Sequence, residues 1–170
     1  EAPFIVVLAV PIAIALLAGL WNGILVAFFK IQPLVATLVL MVAGRGVAML
    51  ITEGFLPTIT RQYYAYDAFV YIGNGFWFKL PFAVTIVAVM FALTALMTRK
   101  TALGMFIESV GDNDTASRYA GVNARVVKLM AYTFAGLCAG IAGLIYTSNI
   151  RTGDPSKTGL YLELDAIMAV

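Results

Sequence analysis

The sequence predicts an all-α fold, a polytopic helical membrane protein with four complete transmembrane helices and the start of a fifth. Hydrophobic residues make up 62% of the chain and charged residues only 12%, with a mean hydropathy of +0.94. Soluble domains usually carry about 25% charged residues. The apolar residues also form runs of about 20, the length of helix that crosses a hydrocarbon core of about 30 Å. Such runs lack the alternation of strands, so we expect helices.

Five apolar segments follow one another along the chain. We expect spans at about 2–29, 31–52, 81–98, 129–150 and from 164–170 onward. Together they form one transmembrane domain over residues 1–170, which we expect to be an internal piece of a longer protein because the last apolar segment has barely begun. Between the spans lie an aromatic-rich segment, 53–79, and a polar loop, 151–163.

The turn between the first two spans is short. Only three residues, Lys30–Gln32, lie between the end of the first span and Pro33. A tight turn would make the two helices antiparallel neighbours. The alternative is a break that dips into the membrane and places Pro33 and Thr37 on a transport pathway.

Residues 99–128 form a polar segment between two apolar runs, and they carry eight of the chain's twenty Lys, Arg, Asp and Glu residues. Lys and Arg are enriched in cytoplasmic loops close to span ends. The side that holds this segment has six of them, and the opposite side has four. We therefore expect residues 99–128 in the cytoplasm, and residues 53–79 and 151–163 outside.

Within the polar segment, glycines and cap residues predict a short helix. Gly111 can end a helix that starts near Thr101 by taking a left-handed conformation. Asp112 or Asn113 can then cap the N-terminus of a helix over 114–120, which Gly121 terminates. A helix of about two turns is marginal alone and needs a surface to pack against.

The small side chains Ala116 and Ala120 would let another surface approach this short helix closely. Two interpretations stay open on the residues alone. The helix is either an ordinary surface helix between spans or the contact with a soluble partner.

Three segments resemble one protein family in the same order along the chain. They are LWNGILVAFFKIQPLVATLVLMVAGRGVAMLIT, GDNDTASRYAGVNARVVKLMAYTFAGLCAGIAGLIY and TGLYLELDAIMAV. This sequence resembles the permease subunits of bacterial ABC sugar importers of the ribose/xylose/galactose class, most of all the galactofuranose-type permeases. In the second segment the residues that match the family's motif are Gly111, Asn113, Ala116, Gly121 and Val122.

The resemblance implies a membrane-spanning subunit of an ATP-driven importer that moves a monosaccharide across the bacterial cytoplasmic (inner) membrane. Its short cytoplasmic helix would dock on a separate ABC ATPase subunit, with the five matching residues and Asp112 carrying the coupling. The other implied partners are a second permease subunit, as a homodimer or heterodimer, an extracytoplasmic sugar-binding protein and membrane lipid. No nucleic-acid partner is expected.

Two polar residues inside the spans are candidates for a pathway or gate. A charge at the depth of Arg45 costs at least about 2.5 kcal/mol against lipid, so it should face protein or a water-filled cavity. It either lines the pathway and holds a gate through Glu163 or Asp165, or it makes a structural ion pair or extends to the interface. Asn22 is a pathway residue or a hydrogen-bonded structural one.

The fourth span carries small residues at helical spacing, among them Gly136, Gly140 and Gly143. This spacing permits close helix packing. The packing is either within one subunit or between two subunits.

Composition argues against an enzyme. The chain has no His and a single Cys, Cys138, and it lacks the phosphate-binding loop of ATPases. We therefore expect no catalytic residues, no metal site and no cofactor bound by this chain. A secondary transporter or channel is the alternative, although only Arg45 is ionisable within a predicted span. A non-transporting scaffold subunit of a membrane complex is a further alternative.

Overall fold

The computed structural model describes residues 4–58, 66–77, 80–155, 158–159, 162 and 168. These residues contain seven helices. The helices are α1 (Phe4–Ala27), α2 (Pro33–Ile51), α3 (Tyr66–Asn74), α4 (Phe82–Lys100), α5 (Ala102–Asp112), α6 (Asp114–Tyr119) and α7 (Ala124–Ile150). A two-residue strand, β1 (Phe76–Trp77), pairs antiparallel with β2 (Leu80–Pro81). The all-α prediction is confirmed.

Four of these helices, α1, α2, α4 and α7, are long and apolar enough to cross a membrane. The prediction of four complete spans is thus confirmed, whereas the predicted fifth span lies outside the described residues. Helix α7 begins at Ala124 rather than at Leu129. Hydropathy marks only the apolar part of a helix, and α7 continues beyond it through Arg125 and Lys128.

The main packing contact between spans joins α1 to α7 at glycines. A Cβ atom built on Gly19 would lie 2.6 Å from the carbonyl oxygen of Tyr132 and 3.0 Å from Cα of Gly136. A Cβ atom on Gly140 would lie 2.6 Å from Cβ of Ala15. The backbones approach this closely only because side chains are absent at these positions.

Gly143 does not take part in the α1–α7 contact, so its predicted role in packing within one subunit is wrong, whereas packing between two subunits stays a prediction. A Cβ atom built on Gly143 meets no atom of the described residues within 4 Å. Gly143 is exposed, so it lies on a face of α7 that is turned away from α1.

A buried hydroxyl fixes α3 against the last turns of α7. Oγ of Ser148 donates a hydrogen bond of 2.5 Å to the carbonyl oxygen of Phe69 and accepts one of 2.8 Å from N of Gly73. Ser148 has no exposed surface, and Phe69 is buried beside it. Residues 66–74 therefore form a short helix that does not span the membrane but packs on the end of a helix that does.

The chain turns sharply between α4 and α5. Thr101 is extended, with φ −116° and ψ 156°, and it separates the two helices. A Cβ atom on Gly104 would lie 1.8 Å from the carbonyl oxygen of Thr98, so no larger residue fits this turn. The turn directs α5 and then α6 back toward the first turns of α7.

Candidate functional site at the short helix α6

The N-terminus of α6 is capped by Asn113. Its Oδ1 accepts hydrogen bonds of 3.0 Å from N of Thr115 and 3.0 Å from N of Ala116. These bonds satisfy two of the backbone donors that a helix start leaves unpaired. The sequence offered Asp112 or Asn113 as the cap, and the structure places Asn113 there, while Asp112 is the last residue of α5.

The C-terminus of α6 ends in a Schellman motif. Gly121 has φ +85°, the left-handed conformation that favours glycine. N of Val122 donates to the carbonyl oxygen of Ser117 at 3.0 Å, and N of Gly121 donates to that of Arg118 at 3.0 Å. The six residues Asp114–Tyr119 are thus held at both ends.

The predicted role of Gly111 as a left-handed helix terminator is wrong. Gly111 lies inside α5, which continues to Asp112. The helix ends because Asn113 is extended, with φ −151° and ψ 103°, as a residue that caps the next helix must be. No left-handed residue is needed at this junction.

The inner side of α6 is tied to α5 and α7. The Ser117 side chain is buried, and its Oγ lies 2.8 Å from the carbonyl oxygen of Ser109 on α5. After the helix, Val122 packs on a small core formed by Val110 of α5 with Ala124 and Val127 of α7. The three helices α5, α6 and α7 therefore meet in one small packed unit.

An ion pair adds a second connection to α7. Nζ of Lys128 lies 2.8 Å from Oδ2 of Asp114, and Nε of Arg118 lies 3.5 Å from Oδ1 of the same carboxylate. The hydrogen bond from Lys128 lowers the pKa of Asp114 below its usual value, and the charges of Lys128, Arg118 and Lys30 act in the same direction. Partial desolvation opposes them without reversing the shift. Asp114 is therefore ionised at neutral pH.

The outer side of α6 is open. Ala116 and Ala120 are exposed, and Tyr119 keeps 89% of its surface accessible. Tyrosine is enriched in protein contact surfaces, so the exposed ring of Tyr119 suits such a surface. Of the six residues predicted to carry coupling, Ala116 alone lies on this exposed face of α6, while Asn113, Gly121 and Val122 shape and anchor the helix.

A cavity of about 720 Å³ opens on another side of α6. Its walls come from the end of α1, the turn into α2, both ends of α6 and the first three turns of α7. The lining residues are Val26, Ala27, Lys30, Ile31, Gln32, Pro33, Asp114, Thr115, Arg118, Tyr119, Arg125, Lys128 and Tyr132. We call this the basic cavity, because four of its five charged side chains are cationic.

The pathway candidates on α2 lie at two separate places. The hydroxyl of Thr37 lies 3.1 Å from the carbonyl oxygen of Pro33 and 3.0 Å from that of Leu34, so its own helix satisfies it. Arg45 is eight residues further along, about 12 Å by helix rise. It lines a second cavity, of about 510 Å³, together with Pro57 and Asp154.

Asn22 lies on the face of α1 that packs against α7. It is 7% exposed, and within the described residues its Oδ1 accepts no hydrogen bond. Asn22 lines neither of the two cavities described above. The remaining gate candidates, Glu163 and Asp165, lie outside the described residues.

Two residues of the site were missed in the sequence. Ser117 and Lys128 connect α6 to its neighbours, but neither stands out in a linear reading. The only signal for the ion pair is the opposite charge of Asp114 and Lys128 within one polar segment. Many other pairings of that segment's charges were equally compatible with the sequence.

Four helices long and apolar enough to cross a membrane, with α5 and the capped helix α6 between α4 and α7, are the architecture of a multi-pass membrane protein. The chain belongs to the family described as branched-chain amino acid transport system / permease component, whose sequence profile matches residues 2–170. The description of this family is that of a transport permease component.

Curated relatives agree with the family. The chain is 52% identical over 165 residues to the galactofuranose transporter permease protein YtfT of Escherichia coli K12, covering 97% of this chain and 47% of the relative. It is 38% identical over 161 residues to the fructose import permease protein FruF of Bifidobacterium longum, covering 95% and 45%. It is 34% identical over 170 residues to the ribose import permease protein RbsC of Haemophilus influenzae, covering 100% and 52%.

These relatives confirm the resemblance to sugar importer permeases that the sequence motifs indicated. The chain spans about half the length of the curated relatives it matches. No solved structure matches the chain.

Proposed function

We propose that this chain is part of the membrane-spanning subunit of an ATP-driven ABC importer that translocates a monosaccharide across the bacterial cytoplasmic membrane. The ATPase is a separate chain, and α6 is the coupling helix that docks on it. The protein works with a second permease subunit and with an extracytoplasmic sugar-binding protein. This chain binds no cofactor itself.

The substrate class is supported by the relatives. Their names give galactofuranose, fructose and ribose as cargo, and all three are monosaccharides. A branched-chain amino acid, which the family description names, is the competing cargo. Three sugar permeases at 34–52% identity favour the sugar.

The observation that carries the coupling role is the way α6 is held. Asn113 and Gly121 fix its two ends, so the helix presents one defined face. Val122 packs on the core shared with α7, and Lys128 of α7 pairs with Asp114. A push on the exposed face is therefore transmitted to α7 rather than absorbed by a flexible loop.

From α7 the displacement has a direct route into the spans. Gly136 of α7 lies against Gly19 of α1, where the two backbones are in contact. Closely packed helices move as units because interiors are nearly incompressible. ATP-driven movement of the partner would thus tilt α7 and α1 together between outward-facing and inward-facing states.

A cysteine crosslink tests this proposal. In the full-length permease Cys138 is replaced by Ser and a single Cys is placed at Ala116, on the exposed face of α6. Membranes that contain the co-expressed ATPase are then treated with a short bifunctional reagent, with and without ATP. We expect an adduct between permease and ATPase whose yield changes with the nucleotide.

The matched control is Phe55→Cys in the same background. Phe55 is 74% exposed but follows the far end of α2, on the opposite side of the spans. We expect the Cys at position 55 to be accessible to labelling from outside the membrane and to form no adduct with the ATPase. If no position between Asp112 and Val122 reacts with the ATPase while all stay accessible from the cytoplasm, the coupling role is excluded and the secondary-transporter alternative returns.

A further inference from the structure

We propose that the basic cavity beside α6 binds a phosphate group, supplied by the headgroup of an anionic phospholipid. This inference does not depend on the cargo or on an ATPase partner. It rests on the cavity's charge, its position at the ends of the spans and its volume.

The cavity has an excess of positive charge. Among the residues that the structure describes, Asp114 is the only acidic side chain in its wall, and it is paired with Lys128 and Arg118. Within the described residues neither Lys30 nor Arg125 has a carboxylate within ion-pair distance. Four cations of the wall thus share one carboxylate within the described residues, and such an excess of positive charge attracts an anion.

Position favours a lipid as the source of that anion. Lys30 lies in the turn between two spans, and Arg125 lies in the first turn of a third. The ends of spans are at headgroup level, and basic pockets between them bind acidic headgroups. Phe28 and Phe29 beside the cavity are 55% and 70% exposed, as expected for rings that face lipid.

Local geometry orients two of the donor groups. The guanidinium carbon of Arg125 lies 5.7 Å from the ring centroid of Phe28, a cation–π contact that holds the side chain at the cavity. Lys30 takes a left-handed backbone conformation, with φ 55°, in the turn that forms the cavity wall. The wall also includes Gln32 and Pro33, where α2 begins.

The volume of the basic cavity is large enough for a lipid headgroup. Ligand pockets usually measure about 300–1,000 Å³, and the basic cavity measures about 720 Å³. It can therefore hold a phosphate with its glycerol backbone, while the acyl chains lie along the exposed rings of Phe28 and Phe29.

The test measures lipid retention by the full-length permease. The protein is purified from nanodiscs of equal parts phosphatidylcholine and phosphatidylglycerol, and bound lipid is counted by native mass spectrometry. The test variant is Lys30→Gln with Arg125→Gln. The matched control is Arg99→Gln with Lys100→Gln, which removes two cations from the end of α4 outside the cavity.

We expect the wild type and the control to retain phosphatidylglycerol selectively. The test variant should lose retention about fivefold for each cation removed. The charge-preserving variant Lys30→Arg with Arg125→Lys should recover most of it, which separates loss of charge from misfolding. Equal losses in test and control variants would indicate only a general surface attraction and would overturn the proposal, as would full retention in the test variant.

Two further outcomes decide the source of the anion. Displacement of phosphatidylglycerol by excess inorganic phosphate would support a phosphate site. If the protein binds inorganic phosphate but shows no preference between the two lipids, the site holds a free anion and not a lipid headgroup. If the test variant keeps its lipid but no longer co-purifies with the ATPase, the two cations serve the protein partner and the proposal is wrong.

Discussion

Nζ of Lys128 lies 2.8 Å from Oδ2 of Asp114, and this ion pair joins the first residue of α6 to the start of the spanning helix α7. The two residues are 14 positions apart in the chain. Their side chains are 34% and 41% exposed, so solvent screens the pair and its strength is modest. Its importance is geometric, because it orients α6 against α7 in addition to the packing of Val122.

The ion pair predicts how α6 responds to acid. In Asp114→Asn the pair is lost, at a cost of about 0.2–1 kcal/mol, and we expect a spin label at Ala116 to become more mobile at neutral pH. The folded state lowers the pKa of Asp114 below 3.8, so the stabilisation is fully present above that pH. It disappears as the pH falls through the lowered value, where wild type and variant should converge.

The control for this titration is Glu108→Gln, which removes an exposed carboxylate from α5. Its spin-label mobility should follow the wild type at every pH. Equal mobility of wild type and Asp114→Asn at neutral pH would show that the core around Val122 alone positions α6.

Two of the three glycines of the polar segment, Gly111 and Gly121, should respond oppositely to substitution. The proline ring in Gly121→Pro fixes φ near −65°, whereas the backbone at this position has φ +85°. The substitution also removes the N–H that donates a hydrogen bond to the carbonyl oxygen of Arg118. We expect sugar uptake by the full transporter to fall at least tenfold while ATP hydrolysis continues. The measurement compares both rates in proteoliposomes, and unchanged uptake would contradict a coupling role for α6.

Gly111→Ala is the matched variant. Gly111 lies inside α5, its φ is not positive and a Cβ atom there meets no described atom within 4 Å. Alanine should therefore stabilise α5 by about 0.5–1 kcal/mol and leave uptake unchanged. A loss of uptake in Gly111→Ala would mean that the glycine contacts the partner directly.

The sequence was sufficient for features that depend on local chemistry. Long apolar runs located α1, α2, α4 and α7, and cap residues located α6 to within one residue. The two glycines show the limit of this reasoning, because Gly111 and Gly121 look alike in sequence and only the backbone shows which one is left-handed.

Features that depend on distant residues could not be read from the sequence. Ser148 contacts Phe69, which is 79 positions away in the chain, and hydrophobic periodicity does not predict such a contact. The basic cavity likewise forms only because the turn at Lys30 and the start of α7 at Arg125 come together in the fold. Gly143 was grouped with Gly136 and Gly140 for the same reason, since spacing in the sequence does not show which of these glycines faces α1.

The α1–α7 contact predicts a sharp difference between two glycines on α7. Gly136→Ala would place a Cβ atom 2.6 Å from the carbonyl oxygen of Ala15 and 2.9 Å from Cα of Gly19. Because these are backbone atoms, the helices must separate, and we expect a loss of about 1–3 kcal/mol. A Cβ atom in Gly143→Ala meets no atom of the described residues within 4 Å, so this variant should be neutral or slightly stabilising. Thermal unfolding of the full-length permease in detergent measures both, and equal melting temperatures would contradict the close contact.

The last prediction concerns the attachment of α3. Ser148→Ala leaves the carbonyl oxygen of Phe69 and the N–H of Gly73 without their partner in a buried place. An unsatisfied buried polar group costs about 1–3 kcal/mol. We expect α3 to detach first, because it is only nine residues long and depends on α7 for its packing.

Hydrogen–deuterium exchange of the full-length permease should show faster exchange over residues 66–74 in Ser148→Ala, with α7 itself little changed. Thr133→Ala is the matched control, because the Thr133 hydroxyl donates within α7 to the carbonyl oxygen of Leu129 at 2.8 Å and does not reach α3. Exchange over 66–74 should stay at the wild-type rate in that variant. If both alanine variants exchange alike, the Ser148 hydroxyl does not hold α3, and packing around Phe69 is sufficient.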